Sequence, residues 1–333
     1  MRRGWFILLC CVAFVGSAIV GSSVSLRWTT YQPEQGVEWS EEVGRTIVDI
    51  PYGEHEAHRF DLYLPADASR ESYGLVVYLH AGGFTAGDKS DDREMLQWFC
   101  SKGYVAAGIN YAMPTADDPA PNVYSMSLDV QRAMEVVKTE AEEQGYKLDG
   151  VIMAGGSAGA GLAMIYAYRD ADIAPLPVRA VISMVGPATF EPALWMGLDA
   201  IDYSDEELAE AAAVWLRTMT GDQITPEMMR SGEYLDSQCK ISAAMLVTER
   251  SVPTLCAYGA LDKIVPYKTA EQLISALNRY GVKSDCIVFP RSGHGLHRDK
   301  ECAKLLYEKI DNSLLFNPSD LIPNRLQHFS HPS

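Results

Sequence analysis

A serine flanked by glycines is the clearest candidate in the sequence for a chemically reactive side chain. Residues 151–164 read VIMAGGSAGAGLAM, and the central GGSAG places Ser157 between Gly155 and Gly159. When Gly-x-Ser-x-Gly joins a strand to a helix, it puts the serine hydroxyl on a sharp turn, and the glycines let strand and helix pass closely. Such a serine can attack a carbonyl carbon if a base activates it. The stretch therefore predicts a nucleophile that needs an acid and a base elsewhere.

Three other interpretations of the same stretch are weaker. A dinucleotide-binding loop needs a third glycine at position 164, which is Met164, and a Walker loop needs a lysine after Gly161, where Leu162 stands. A membrane span is suggested by the uncharged run 151–168, but that run is near the lower length limit and lies among strand and helix patterns. The nucleophile interpretation is the one that the surrounding sequence favours.

An acid and a base follow the serine in the required order. Asp262 lies in AYGALDKIVP and His294 lies in FPRSGHGL, each in the loop after a predicted strand. Hydrolases with this serine turn place the acid after the serine and the histidine last. Both residues fall at the carboxyl ends of strands, where open α/β sheets build their sites. We therefore predict a triad of Ser157, Asp262 and His294, against the alternative of a solvated turn aspartate and an unrelated loop histidine.

A glycine loop could stabilise the negative oxygen that such chemistry creates. In LVVYLHAGGFTAGD, Gly82 and Gly83 come just after a buried strand, the location of the His-Gly-Gly-Gly type of loop. Without side chains, their backbone N–H groups can approach a substrate oxygen, and the N–H of Ala158 opens the helix after the serine. We predict these three residues as oxyanion donors; the alternative is a simple glycine turn.

Alternating strands and helices supply the elements that position these residues. Apolar strand-like runs occur at 46–50, 59–64, 75–80, 104–110, 150–155, 178–186, 254–259 and 284–290. Helical periodicity occurs at 92–102, 123–145, 158–169, 267–281 and 300–315. This alternation predicts an α/β fold with a doubly wound, mostly parallel, eight-stranded sheet spanning residues 46–315.

One long interval interrupts the alternation. Residues 187–250 lie between two strand-like runs and contain helical patterns at 205–219 and 226–230, which predicts a helical insertion or lid. Its bulky apolar residues either line a pocket or hold the insertion together. The remaining C-terminal stretch, residues 316–333, has no periodicity and is predicted to be an extended tail.

The N-terminal segment is predicted to export or anchor the chain. Residues 4–26 carry no charge, and at about 1.5 Å per residue they would form a helix of about 34 Å, enough to cross a bilayer core. Residues 1–27 are thus a signal peptide or a membrane anchor, and residues 28–45 are a polar linker. Arg2 and Arg3 favour a cytoplasmic N-terminus and an extracytoplasmic domain. A buried N-terminal helix is the alternative.

Charge and cysteine spacing exclude several classes of protein. The chain has 44 acidic and 28 basic residues, a net charge of −16, and no basic stripe that could bind nucleic acid. No Cys-x-x-Cys pair is present, and His55 and His58 do not have the His-Glu-x-x-His spacing of a zinc helix. We expect neither a metal nor a cofactor.

Taken together, these motifs resemble the α/β-hydrolase superfamily, and within it the esterases with a His-Gly-Gly-Gly loop. The sequence is similar to bacterial acetyl-esterase and feruloyl-esterase-like proteins related to hormone-sensitive lipase, over about residues 46–312. The resemblance implies a serine esterase that forms an acyl-enzyme on small or carbohydrate-linked esters. Two positions depart from the pattern: Ala81 replaces the first loop glycine, and Ala160 replaces a glycine that many relatives carry after Gly159.

Two alternatives remain open at this point. A serine peptidase of the prolyl-oligopeptidase type has the same fold and triad, although this chain has no room for the propeller that such peptidases often carry. A binding protein on the same fold, without catalysis, is the other, because fold alone does not fix function.

Overall fold

A computed structural model describes residues 36–311, and its central element is an eight-stranded β-sheet. The strand order is β1-β2-β4-β3-β5-β6-β7-β8. β2 pairs antiparallel with β1 and β4, and all other neighbours are parallel, which confirms the predicted mostly parallel sheet. The strands are β1 (Gly44–Pro51), β2 (Arg59–Pro65), β3 (Tyr73–Leu79), β4 (Val105–Ile109), β5 (Leu148–Gly156), β6 (Val178–Met184), β7 (Thr254–Gly259) and β8 (Ser284–Phe289).

Helices cover both faces of the sheet. The described residues form ten α-helices: α1 (Arg93–Ser101), α2 (Val123–Glu143), α3 (Ala158–Arg169), α4 (Pro192–Trp195), α5 (Glu206–Thr220), α6 (Pro226–Ser231), α7 (Tyr234–Cys239), α8 (Ala243–Leu246), α9 (Tyr267–Arg279) and α10 (Lys300–Lys309). α2, α3 and α9 pack on one face, whereas α1 and α10 pack on the other. Strands β3, β4 and β5 are consequently buried on both faces, which explains their nearly continuous apolar sequences.

The interval between β6 and β7 contains the 15-residue helix α5 and four short helices, α4, α6, α7 and α8. Part of it has a core of its own, formed by Ala212, Ala213, Leu216, Ile224 and Met229. Trp195 and Trp215 pack against each other with ring centroids 5.2 Å apart. These apolar residues therefore serve at least to hold the interval together.

The edges of the domain differ in part from the sequence prediction. β1 begins at Gly44, and Val37 and Trp39, which were assigned to the linker 28–45, pack against the core. The ring of Trp39 lies edge-on to Tyr63 with centroids 5.9 Å apart, so apolar burial outweighs the polar composition of this segment. The predicted signal or anchor 1–27 and the predicted tail 316–333 lie outside the described residues. Within residues 36–311, none of the helices combines the length and apolar character that crossing a membrane requires.

The crossing of β3 and α3 should tolerate no side chain at Gly159. A Cβ atom built there would lie 2.0 Å from the Leu79 carbonyl oxygen and 2.6 Å from the His80 carbonyl oxygen, and neither backbone atom can move aside. We expect Gly159→Ala to lower the free energy of unfolding by at least about 3 kcal/mol, the upper range for overpacking. Chemical denaturation measures this loss.

Gly36→Ala is the matched control, because a Cβ at Gly36 would meet no atom within 4 Å. Its effect should stay within about 0.5 kcal/mol, as for most surface substitutions. Equal stability of the two variants would show that strand and helix are not in close contact at Gly159.

Candidate active site

The three side chains of the predicted triad meet at the carboxyl edge of the sheet. Ser157 follows β5, and the loops after β7 and β8 carry Asp262 and His294. The His294 Nδ1 atom lies 2.7 Å from Asp262 Oδ2, and its Nε2 atom lies 2.9 Å from Ser157 Oγ. The structure thus forms a continuous hydrogen-bonded chain from carboxylate to imidazole to hydroxyl, which is the arrangement that activates a serine.

The carboxylate of Asp262 is fixed before it meets the imidazole. Its side chain is only 1% exposed, and its Oδ1 atom accepts hydrogen bonds from the backbone N–H groups of Ile264 (2.8 Å) and Val265 (3.0 Å). The other oxygen is left to accept from Nδ1–H of His294. This contact selects the tautomer in which Nε2 can accept the hydroxyl proton of Ser157.

The turn at Ser157 is strained in the way that the motif predicts. Ser157 has φ 51° and ψ −118°, an unfavourable backbone region for a residue with a side chain. Two hydrogen bonds hold it there: its N–H donates to the Met184 carbonyl of β6 (2.8 Å), and its carbonyl accepts from the Gly161 N–H (3.1 Å). Such strain costs on the order of 1–3 kcal/mol and persists only where the surroundings over-determine it.

Backbone strain is concentrated around this serine. Among the described residues, five other than glycine have a positive φ, and four of them follow strands at the same edge: Phe84, Ser157, Val185 and Leu296. Val185 is β-branched, so a φ of 50° is a genuine outlier for it. Strained residues cluster at functional sites, and this cluster marks the same edge as the triad.

The predicted oxyanion loop lies beside the serine turn. A Cβ built on Gly156 would be 3.9 Å from the Ala81 Cβ, so loop and turn are neighbours. Gly82 and Gly83 have φ of 133° and 62°, and a Cβ on Gly82 would lie 1.7 Å from the Ala86 carbonyl oxygen. Only glycine therefore fits at Gly82.

Three backbone N–H groups are available at this point. Within residues 36–311, the N–H groups of Gly82 and Gly83 donate to no protein atom, while the Gly82 carbonyl accepts from Thr85 and Ala86 at 3.1 Å each. Ala158 is the first residue of α3, where helix N–H groups have no partner inside the helix. The structure brings the predicted donors close to the serine turn; their binding of an oxyanion stays a prediction.

Sequence reasoning missed the residues that hold the start of this loop. The Tyr111 ring stacks on the His80 ring with centroids 4.3 Å apart, and its hydroxyl donates to the His80 carbonyl (2.9 Å). His80 Nδ1 lies 2.7 Å from the Ala81 carbonyl oxygen, and burial lowers the pKa of His80, so the ring is neutral. The sequence shows a tyrosine just after β4. That position indicates a contact with His80 only when β4 and β3 are known to be neighbours.

A second polar cluster holds the end of the loop. Asn110 Nδ2 donates to Asp88 Oδ2 (2.7 Å), and Asn110 Oδ1 accepts from the Lys89 N–H (2.6 Å). Burial alone would raise the pKa of Asp88, but hydrogen bonds from Ser90 and Asn110 outweigh it and bring the pKa to about 2. The loop between β3 and α1 is thus fastened at both ends.

The histidines near β2 form contacts within the protein. His58 Nε2 lies 3.1 Å from Asp129 Oδ1, and its ring stacks on Tyr52 with centroids 4.8 Å apart. His55 Nδ1 accepts a hydrogen bond from the Ala57 N–H (3.0 Å). In the part of the chain that the structure describes, no three side chains of the metal-binding types lie close enough together to hold an ion.

Comparison with solved structures shows the same fold. Esterase B from Lactobacillus rhamnosis superimposes with a TM-score of 0.65 at 17% identity, covering 93% of this chain and 95% of that one. A thermophilic esterase from the Planctomycetes species Thermogutta terrifontis gives a TM-score of 0.61 at 19% identity, over 86% of this chain and 95% of its own. These similarities confirm the α/β-hydrolase fold.

Comparison with other sequences adds the family. A kynurenine formamidase from Danio rerio is 27% identical over 253 residues, which is 75% of each chain. The model of the BD-FAE family matches residues 60–277, about two thirds of the sequence, and that range contains the oxyanion loop, the serine turn and Asp262. The chain therefore belongs to the BD-FAE family, and it has the α/β-hydrolase fold that the motifs indicated.

Proposed function

We propose that the chain is a serine carboxylic-ester hydrolase in which Ser157, Asp262 and His294 form the catalytic triad. Membership of the BD-FAE family indicates a hydrolytic enzyme. The observation that carries the proposal is the hydrogen-bonded chain from Asp262 through His294 to Ser157, with contacts of 2.7 and 2.9 Å. A serine polarised in this way, beside unpaired backbone N–H groups, has the parts that acyl transfer needs.

In the proposed reaction, His294 Nε2 takes the proton of Ser157 Oγ as that oxygen attacks the ester carbonyl carbon. The carbonyl oxygen becomes negative and is bound by the N–H groups of Gly82, Gly83 and Ala158. The C–O bond to the alcohol then breaks, and His294 gives its proton to the leaving oxygen. Water repeats the sequence on the acyl-serine and releases the carboxylic acid.

The proposed substrates are small or carbohydrate-linked esters. The resemblance to acetyl- and feruloyl-esterase-like proteins supports this choice. Phe84 follows the oxyanion loop directly, and its ring lies 5.8 Å from that of Phe190, which stacks on Trp195. Phe190 is buried, whereas the Phe84 ring is only partly buried, and this apolar ring next to the predicted donors suits an apolar acyl group. A series of acetyl, butyryl, longer-chain and feruloyl esters measures how large an acyl group the site accepts.

A second candidate function is hydrolysis of a formyl amide. It is favoured by one observation, the 27% identity to a kynurenine formamidase over 75% of both chains. The same triad would attack a formyl carbon and expel an amine instead of an alcohol. An aryl formamide tested beside the esters, together with a prolyl amide for the peptidase alternative, decides between these leaving groups.

Covalent labelling tests the proposal most directly. We expect a fluorophosphonate probe to label the folded protein at Ser157, because only an activated serine reacts with it, and we expect turnover of p-nitrophenyl acetate. Heat-unfolded protein is the control and should not be labelled. A folded protein that takes up no probe and turns over no ester would instead be a binding protein on this fold.

We also propose that residues 1–27 direct the domain out of the cytoplasm, as a cleaved signal or as an anchor through residues 4–26. The support is the charge-free run after Arg2 and Arg3. Recovery of the native chain in the cytosolic fraction would contradict this.

A further inference from the structure

We propose that Asp299, acting through Ser292, is a positioning residue that sets His294 against Asp262. The inference rests on the proposed function, because it concerns how the catalytic base is held. Asp299 lies where the loop after β8 enters α10, and His294 lies midway along that loop. Among the described residues, neither Asp299 nor Ser292 forms a hydrogen bond with a triad side chain, and both act through the backbone that carries those side chains.

The carboxylate of Asp299 closes the loop on itself. Its Oδ2 atom accepts hydrogen bonds from the Arg291 N–H (3.0 Å) and the Ser292 hydroxyl (2.6 Å), and its Oδ1 atom accepts from Arg291 Nε (2.8 Å). Arg291 and Ser292 stand at the start of the loop and Asp299 stands at its end. These bonds therefore fix the distance between the two ends of the segment that presents His294.

Ser292 connects this closure to the loop of the catalytic acid. Its hydroxyl accepts from the Arg298 N–H (3.1 Å) while it donates to Asp299, and its carbonyl accepts from the Leu261 N–H (3.0 Å). Leu261 directly precedes Asp262. The chain of contacts thus runs from Asp299 through Ser292 to the residue next to the acid, and it joins the two loops whose tips must meet.

Burial makes these hydrogen bonds effective. The Asp299 side chain is 4% exposed and Ser292 is fully buried, whereas the Arg291 side chain is 73% exposed. Burial alone would raise the pKa of Asp299, but the hydrogen bonds from Ser292 and Arg291 outweigh it and hold the pKa below its ordinary value. The Asp299 carboxylate is therefore ionised in the folded protein. It is held by hydrogen bonds in the protein interior and not only by an ion pair at the surface.

The loop needs such a restraint because it is strained. Leu296, two residues after His294, is buried and has φ 54°. Of the residues that the structure describes, only Gly293 supplies a backbone partner to the Leu296 N–H (3.2 Å). A strained turn persists when its surroundings over-determine it, and the Asp299 closure is one of the polar contacts that do so.

Asp299→Asn and Ser292→Ala test the proposal. We expect each to lower kcat/KM for p-nitrophenyl acetate by about 10- to 100-fold, mainly through kcat, because a misplacement of about 1 Å costs that order of rate. We also expect KM to stay near the wild-type value, because the loss concerns the position of the base and not the binding of the ester. The double variant should lose little more than either single one, since both remove one unit.

Glu301→Gln is the matched control. Glu301 is an exposed acidic residue in the first turn of α10, so its substitution removes the same charge without touching the loop. The control should keep the wild-type kcat and KM. Far-ultraviolet circular dichroism and thermal unfolding measure the folded fraction of each variant, and all rates are normalised to that fraction.

The proposal is overturned if folded Asp299→Asn and Ser292→Ala keep the wild-type kcat, or if they lose kcat/KM through KM alone. It is also overturned if activity falls only in proportion to the folded fraction, since that is a purely structural role. Failure of the proposed function looks different: the wild-type protein itself would then turn over no ester and bind no fluorophosphonate.

Discussion

Replacing Ser157 with alanine is expected to lower kcat for p-nitrophenyl acetate by at least about 10³-fold, with residual turnover from the oxyanion donors alone. The hydroxyl oxygen is the atom that attacks, and without it no acyl-serine can form. The fold should be unchanged, because the Ser157 side chain makes no helix-capping bond and its structural contacts run through its backbone N–H and carbonyl. Steady-state kinetics with a thermal melt measure both effects.

Ser275→Ala is the matched control for this variant. Ser275 is an exposed serine of α9, so its loss should leave both kcat and fluorophosphonate labelling unchanged. Labelling of Ser157→Ala at the wild-type rate would identify another serine as the nucleophile, and the triad assignment would then be wrong.

The parts of this site that the sequence predicts are those with local signals. The serine turn follows from glycines at Gly155 and Gly159, whose absent side chains leave room for backbone contacts of β3 and α3. Asp262 and His294 follow from their positions just after apolar strands, because parallel strands end at one edge. The strands themselves are recognisable because helices bury both of their faces, which demands continuous apolar runs.

The parts that escaped prediction depend on contacts between distant segments. Tyr111 supports His80 only because β4 lies beside β3, an order that inverts the sequence order of the two strands. Asp299 precedes α10 at the capping position, where an aspartate commonly caps the helix. Its carboxylate instead accepts hydrogen bonds from Arg291 and Ser292 and caps no helix N–H. A short polar residue near a helix start has several partners within reach, and packing decides among them.

Asp92 is a second aspartate of this kind, and its substitution should change how stability depends on pH. It precedes α1 at the capping position but makes no capping bond, and its Oδ2 atom is buried without a partner among the described residues. Burial, with a smaller contribution from the charge of Asp91, raises the pKa of Asp92 to about 8. At neutral pH the folded protein therefore holds this carboxyl protonated, whereas the unfolded chain ionises it.

The sign of the effect follows from the two pKa values. Because the folded pKa of about 8 exceeds the unfolded value of 3.8, the folded state binds more protons between them, and the free energy of unfolding falls as pH rises through that window. The slope is about 1.4 kcal/mol per pH unit. Asp92→Asn has no proton to lose, so its stability relative to wild type should increase from about pH 4 to about pH 8, by on the order of 5 kcal/mol in total.

Denaturant unfolding at several pH values between 4 and 8.5 measures this difference. Asp117→Asn is the control: Asp117 is exposed, so its difference from wild type should be small and constant with pH. A constant difference for Asp92→Asn as well would mean that the Asp92 carboxyl reaches water in the folded protein.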